Sequence, residues 1–234
     1  MRTKVLRLAL TPLIPALLLA CGPGEQTPPQ EVQQDRQELP EDLPEKIDPE
    51  GRYLFYLHGQ IVEDQGVRPA HSRFGIYEYE AIVDTLSSRD LIVISEAREA
   101  GTDVWIYAQK VQGQVEGLLE AGVPPGNISV VGHSKGGSIA IMTSSFLKND
   151  RVNFVFLACC GDWMLQRPQI DLHGRILSIY DQSDDLTGSC RKAFEKAGAP
   201  LVTREIVLQT GQGHGAFYRP ISEWVEPVIN WVKN

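Results

Sequence analysis

The chain has 234 residues, enough for one ordinary globular domain and few for two. Apolar residues make up 42% and charged residues 22%, which excludes collagen-like, coiled-coil and wholly disordered chains. A net charge of −8 offers no basic face, so no nucleic-acid partner is expected.

The first twenty residues read as a targeting segment. Arg2, Lys4 and Arg7 precede an apolar run over 8–20 that Pro12 and Pro15 interrupt. A membrane span needs about 20 apolar residues, and this run falls short of that. Its ending, Leu18-Leu19-Ala20-Cys21, resembles a bacterial lipoprotein signal. The resemblance implies cleavage before Cys21, a lipid on that cysteine and a place in the bacterial cell envelope. The lipid would be the chain's only membrane contact. Gly22 stands where an inner-membrane retention signal has aspartate, which favours the outer membrane.

Residues 21–50 form the expected tether. Prolines, acids and glutamines dominate it, with Arg36 and Lys46 its two basic residues. Such a segment buries too little surface to offset chain entropy. The folded domain is then expected over 51–234.

In that domain short β-rich runs alternate with helical patterns. Strands are expected at 53–57, 91–94, 128–131, 152–157, 176–180 and 202–208. Several are apolar at consecutive positions, as strands covered on both faces must be. Val104, Ala108, Val111, Val115 and Leu118 recur at helical spacing until Gly122 and Pro124. Further helices are expected at 77–87, 135–147, 191–197 and 222–232. The alternation predicts an α/β fold, a parallel sheet of about six strands with helices on both faces.

The segment with the most chemistry is Gly132-His133-Ser134-Lys135-Gly136, a G-x-S-x-G between an apolar strand and a helix. A sharp strand-to-helix turn crowds its flanks, so glycine is needed on either side of the serine. The turn lifts the Ser134 hydroxyl above the sheet as a candidate nucleophile. A serine needs a base, and the base needs an orienting acid. His214, flanked by Gly213 and Gly215 between the last strand and the last helix, is the candidate base. Its glycines suggest a flexible loop that lets the imidazole swing over Ser134. His71, His133 and His173 read as ordinary loop or supporting residues.

With these motifs the chain resembles an α/β-hydrolase over 52–234. The resemblance implies a serine esterase that acts on a small-molecule acyl substrate through an acyl-enzyme. It implies an oxyanion hole after the strand ending in His58-Gly59, built from the backbone N–H groups of Gln60 and Lys135. It places the acid at Asp184, although Asp181 stands where the family has glycine, and Asp181 and Asp185 remain alternatives. Asp185 would otherwise cap the helix near Arg191. Strand order is expected to resemble 2-1-3-4-5-6. Only about eighteen residues separate Leu157 from Ile176, too few for a cap domain. The same triad also serves acyltransferases and peptidases, and the fold also serves as a binding scaffold.

The residues at 61–75 are expected to border the substrate cleft. Arg98, at the carboxyl edge of the sheet, either grips an anionic substrate or, more commonly, pairs with Glu96 or Asp103 to fix a loop. The Lys135 side chain is expected to be solvated or packed on its helix. Tyr53, Phe55, Tyr77 and Tyr79 read as core and rim. No metal is expected, because no His, Cys and carboxylate residues have ligand spacing. No organic cofactor is expected, because Gly132 to Gly137 lacks the dinucleotide fingerprint.

Beyond Cys21, Cys159 and Cys160 end one strand and Cys190 follows the next. Side chains alternate along a strand, so one of the adjacent pair faces Cys190. The expected disulfide is Cys160–Cys190, with Cys159 buried as a small apolar residue.

Overall fold

A computed structural model describes residues 43–161, 167–197 and 201–234. The expected signal segment, Cys21 and the tether up to residue 42 lie outside the described residues. Described strands are β1 (Tyr53–Leu57), β2 (Ala70–His71), β3 (Gly75–Ile76), β4 (Ile92–Ile94), β5 (Ile128–His133), β6 (Asn153–Leu157), β7 (Arg175–Asp181) and β8 (Val202–Leu208). Described helices are α1 (Gln60–Gln65), α2 (Tyr79–Ser87), α3 (Val104–Glu120), α4 (Lys135–Leu147), α5 (Arg191–Lys196) and α6 (Ser222–Lys233).

The main sheet runs β4-β1-β5-β6-β7-β8, and every neighbouring pair is parallel. Counted along that sheet, this is the order 2-1-3-4-5-6. Parallel neighbours need crossovers, which α2, α3, α4 and α5 supply outside the β6–β7 connection. The connection from β6 to β7 is too short for a cap domain. No helix among the described residues is long and apolar enough to cross a membrane.

Strand pleating divides the core in two. Tyr53, Phe55, Leu57, Ile128, Val130, Phe154 and Phe156 face α3 and α4. Leu54, Tyr56, Val131, Val155, Leu157, Leu177 and Ile179 face α2 and α6. Successive side chains point to opposite faces and both faces are covered, which is why these strands read as unbroken apolar runs. Asp103 caps α3, its carboxylate accepting the Trp105 and Ile106 N–H groups at 2.8 and 3.0 Å.

One expected boundary changes, and one segment gains detail. Chain ahead of Gly51 is already packed: Leu43 and Ile47 lie on the α3–α4 core and the Asp48 N–H donates to Tyr53 Oη at 2.8 Å. Residues 60–76 carry α1 and the β2–β3 hairpin, whose register pairs Ala70 with Ile76 and His71 with Gly75.

Candidate active site

Ser134 stands between β5 and α4 with φ 53° and ψ −118°. A non-glycine residue there costs about 1–3 kcal/mol and persists only where its surroundings hold it. Two close approaches do so. A Cβ on Gly132 would lie 2.2 Å from the Gly136 carbonyl oxygen, and one on Gly136 would lie 2.0 Å from that of Leu57. Both neighbours are backbone and cannot step aside, so both positions require glycine. The Ser134 N–H donates to the Leu157 carbonyl at 3.0 Å, tying the turn to the next strand.

His214 lies in a buried 3-10 turn over Gly213–Phe217 rather than in a swinging loop. Its glycine at 215 serves close packing: a Cβ there would meet Phe74 Cβ at 2.8 Å. His214 Nδ1 bonds Asp184 Oδ2 at 2.9 Å. Asp184 also accepts the Leu186 N–H at 2.9 Å and the Thr187 hydroxyl at 2.8 Å. Burial works against its charge, but the bond and charge of His214, with these donors, hold the carboxyl below its ordinary range.

The two alternative acids have other partners. Asp181 ends β7, fully buried, and accepts the Thr210 N–H and hydroxyl at 2.8 and 2.6 Å and the Ser183 N–H at 2.9 Å. Burial opposes its charge as well, yet these bonds hold it at about 2. Asp185 does not cap the helix near Arg191. It is exposed and pairs with Arg73 at 2.9 Å, because the 61–75 segment reaches across to its loop.

His58, Gly59 and Gln60 turn from β1 into α1. A Cβ on Gly59 would lie 3.5 Å from Ser134 Cβ, so this turn rests directly on the serine turn. The Tyr77 hydroxyl accepts the Gly59 N–H at 3.3 Å and bonds Tyr56 Oη at 2.8 Å and His133 Nδ1 at 3.3 Å. Tyr77 is therefore more than core. Gln60 and Lys135 are the first residues of α1 and α4, so neither N–H has a partner within its helix. Both residues line one cavity of about 270 Å³ with Ser134, Val104, Ser138, Cys159 and Thr187.

Arg98 and Lys135 depart from expectation. Arg98 pairs with neither Glu96 nor Asp103, and it is buried rather than presented to a ligand. Its Nε donates to Glu63 Oε1 at 2.8 Å, its Nη2 to the His58 carbonyl, and its N–H to His58 Nε2 at 2.9 Å. Glu96 is engaged instead by Lys110 and Tyr107, at 2.8 and 2.7 Å. The Lys135 ammonium is not solvated on its helix: it pairs with Glu63 Oε2. Burial and the Arg98 charge push His58 down to about 3, so it stays neutral. Glu63 escaped the sequence reading because one acid in a mixed segment carries no pattern.

Cys160 and Cys190 are joined by a disulfide, and Cys159 is a free, buried thiol that burial pushes well up. The Gly188 N–H donates to the Cys160 carbonyl at 3.1 Å, so the disulfide region abuts the loop that carries Asp184 and Thr187. His133 is buried beside His214, ring centroids 4.8 Å apart. Burial, then the neighbouring His214, pushes it well below the ordinary histidine range. Among the described residues no three His, Cys, Asp or Glu side chains are grouped to hold a metal ion.

No family model matches the chain, and no curated protein matches it. Solved structures do resemble it. A mutant esterase carrying two substitutions superposes with a TM-score of 0.55 at 15% identity, over 80% of this chain and 77% of that one. An esterase/lipase from an uncultured bacterium gives 0.54 at 12% identity, over 78% and 75%. An esterase from the bacterial hormone-sensitive lipase family gives 0.53 at 14% identity, over 80% and 77%.

Proposed function

We propose that this chain, with its α/β-hydrolase fold, a six-stranded parallel sheet between helices with no cap domain evident among the described residues, is a serine hydrolase cleaving a carboxylic ester or related acyl bond. Ser134 Oγ attacks the acyl carbon while His214 takes the hydroxyl proton, and the carbonyl oxygen becomes an oxyanion. The N–H groups of Gln60 and Lys135 receive that oxyanion. Collapse breaks the bond to the leaving alkoxide, which takes the proton from His214 and departs as the alcohol. Water then attacks the acyl-enzyme with His214 as base, releasing the acid and restoring Ser134. Asp184 keeps the imidazole in the required tautomer and balances the imidazolium.

The observation that carries this reading is the strained Ser134 turn, opening on a cavity that two helix N-termini border. Such strain at a polar residue marks a functional position. An alkyl fluorophosphonate should label the full chain on Ser134. Ser134→Ala should abolish labelling and lower turnover of a chromogenic ester by about 10³-fold or more with little change in Tm. Equal labelling of the alanine variant would end the assignment. A panel of esters, thioesters, lactones and aminoacyl amides defines the acyl bond cleaved.

For the N-terminus we propose cleavage before Cys21, lipidation of that cysteine and attachment to the cell envelope. Support comes from the Leu18-Leu19-Ala20-Cys21 ending and the acidic, proline-rich stretch behind it. Intact mass of the mature chain tests this. A first residue other than Cys21, or an unmodified Cys21, would refute it.

A further inference from the structure

Glu63 lies between two cations, Arg98 and Lys135, the second of them the residue after Ser134. The Glu63 side chain is fully buried, that of Arg98 is 1% exposed and that of Lys135 is 17% exposed. An anion is tolerated there only when paired and hydrogen-bonded, and Glu63 uses both oxygens: Oε1 for Arg98 Nε at 2.8 Å and Oε2 for Lys135 Nζ. The three residues come from three separate segments, α1, the loop after β4 and the start of α4.

The place of the contact gives it a consequence. Glu63 lies one turn along α1 from Gln60, and Lys135 opens α4. One ion pair therefore ties together the two helix starts whose first residues, Gln60 and Lys135, line the Ser134 cavity. Arg98 completes the frame from behind, its Nη2 on the His58 carbonyl and its N–H on His58 Nε2. Two cations share one carboxylate, so the cluster keeps a net positive charge beside the point where an oxyanion would develop.

We propose that Glu63 is a positioning residue: its bridge to Lys135 and Arg98 sets the spacing of the Gln60 and Lys135 N–H groups for the transition state. This rests on the hydrolase reading above. Donors aimed at developing charge act on kcat more than on ground-state binding, and small misplacements are costly. The Lys135 N–H is backbone, so replacing the side chain keeps the donor and releases only its tether.

The test uses the full chain in detergent, a chromogenic short-chain ester, and Glu63→Gln, Lys135→Met and the double variant. Each single variant should lower kcat by about 10- to 100-fold while KM stays within about threefold. The double variant should lose no more than the worse single, because both break one bridge. Lys135→Met leaves the Arg98–Glu63 pair intact, so it decides the matter if Glu63→Gln fails to fold. A folded Lys135→Met with unchanged kcat, or losses that multiply in the double variant, overturns the proposal. Ser134→Ala separates the two ideas. Turnover that survives that substitution, or none in the unsubstituted chain, sinks the hydrolase reading and this proposal with it. Ser134-dependent turnover that ignores the bridge sinks the bridge alone.

Discussion

Asp184 Oδ2 lies 2.9 Å from His214 Nδ1, although 30 residues separate them in sequence. The bond joins the loop after β7 to the turn after β8. These two strands are parallel neighbours, paired from Arg175–Val202 to Asp181–Leu208, so their following loops start side by side. The Asp184 side chain is fully buried and that of His214 is 7% exposed, so the bond is shielded from solvent.

The three neighbouring aspartates should separate cleanly. Asp184→Asn should lose about 10²- to 10⁴-fold in turnover while remaining folded, because an amide favours the wrong imidazole tautomer. Asp181→Asn should keep most turnover and lower Tm, since it loses charge from buried bonds to Thr210 and Ser183. Asp185→Asn removes an exposed pair with Arg73 and should change both little. Turnover on one chromogenic ester, with melting curves, checks all three. A larger turnover loss at Asp181 or Asp185 moves the acid there.

Acid should begin to unfold the protein well above the carboxylate range. His58 is held at about 3, and His133 well below its ordinary 6.5, so both stay neutral when folded and charge in the unfolded chain. Their folded pKa values lie below the unfolded ones. Their contribution is therefore full above about pH 6.5 and lost as pH falls toward the folded values, by at most about 1.4 kcal/mol per pH unit for each. Asp181, held at about 2 against 3.8, adds a loss between about pH 4 and pH 2. Tm measured from pH 8 to 3 should decline from near 6.5. A flat Tm down to pH 5 contradicts the assignment.

Gly136→Ala should be among the costliest single-methyl additions in the chain. The new Cβ would sit 2.0 Å from the Leu57 carbonyl oxygen, forcing apart the turns that carry Ser134 and Gln60. The expected loss is more than about 3 kcal/mol of stability, together with nearly all turnover in whatever folds. Chemical denaturation measures the first, and an unchanged midpoint would show that the two turns do not press together.

Replacing both Cys160 and Cys190 by serine opens a bridge with a sequence separation of 30. The chain-entropy argument gives a loss of about 3–4 kcal/mol. Turnover should fall as well, because the loop with Gly188 on the Cys160 carbonyl also carries Thr187, a donor to Asp184. Mass mapping of non-reduced peptides from the parent chain, showing three free thiols, would remove the basis of this expectation.

The six strands of the main sheet and the places of their loops were legible in the chain alone. Unbroken apolar runs such as Tyr53–Leu57 are what a strand buried on both faces must be, and period and glycine punctuation are local signals. Gly132 and Gly136 were legible for the same reason: the crowding of a strand-to-helix turn is set within a few residues. Partner choice among charged side chains emerged only once the chain was folded. Glu63 meets Arg98 across 35 residues and Lys135 across 72, and Arg73 meets Asp185 across 112. A carboxylate pairs with whichever cation the fold delivers to it, and an exposed neighbour such as Asp103 is better spent capping its own helix. The glycines around His214 promised freedom, yet the fold uses Gly215 for contact with Phe74, because a missing Cβ serves close packing as well as flexibility.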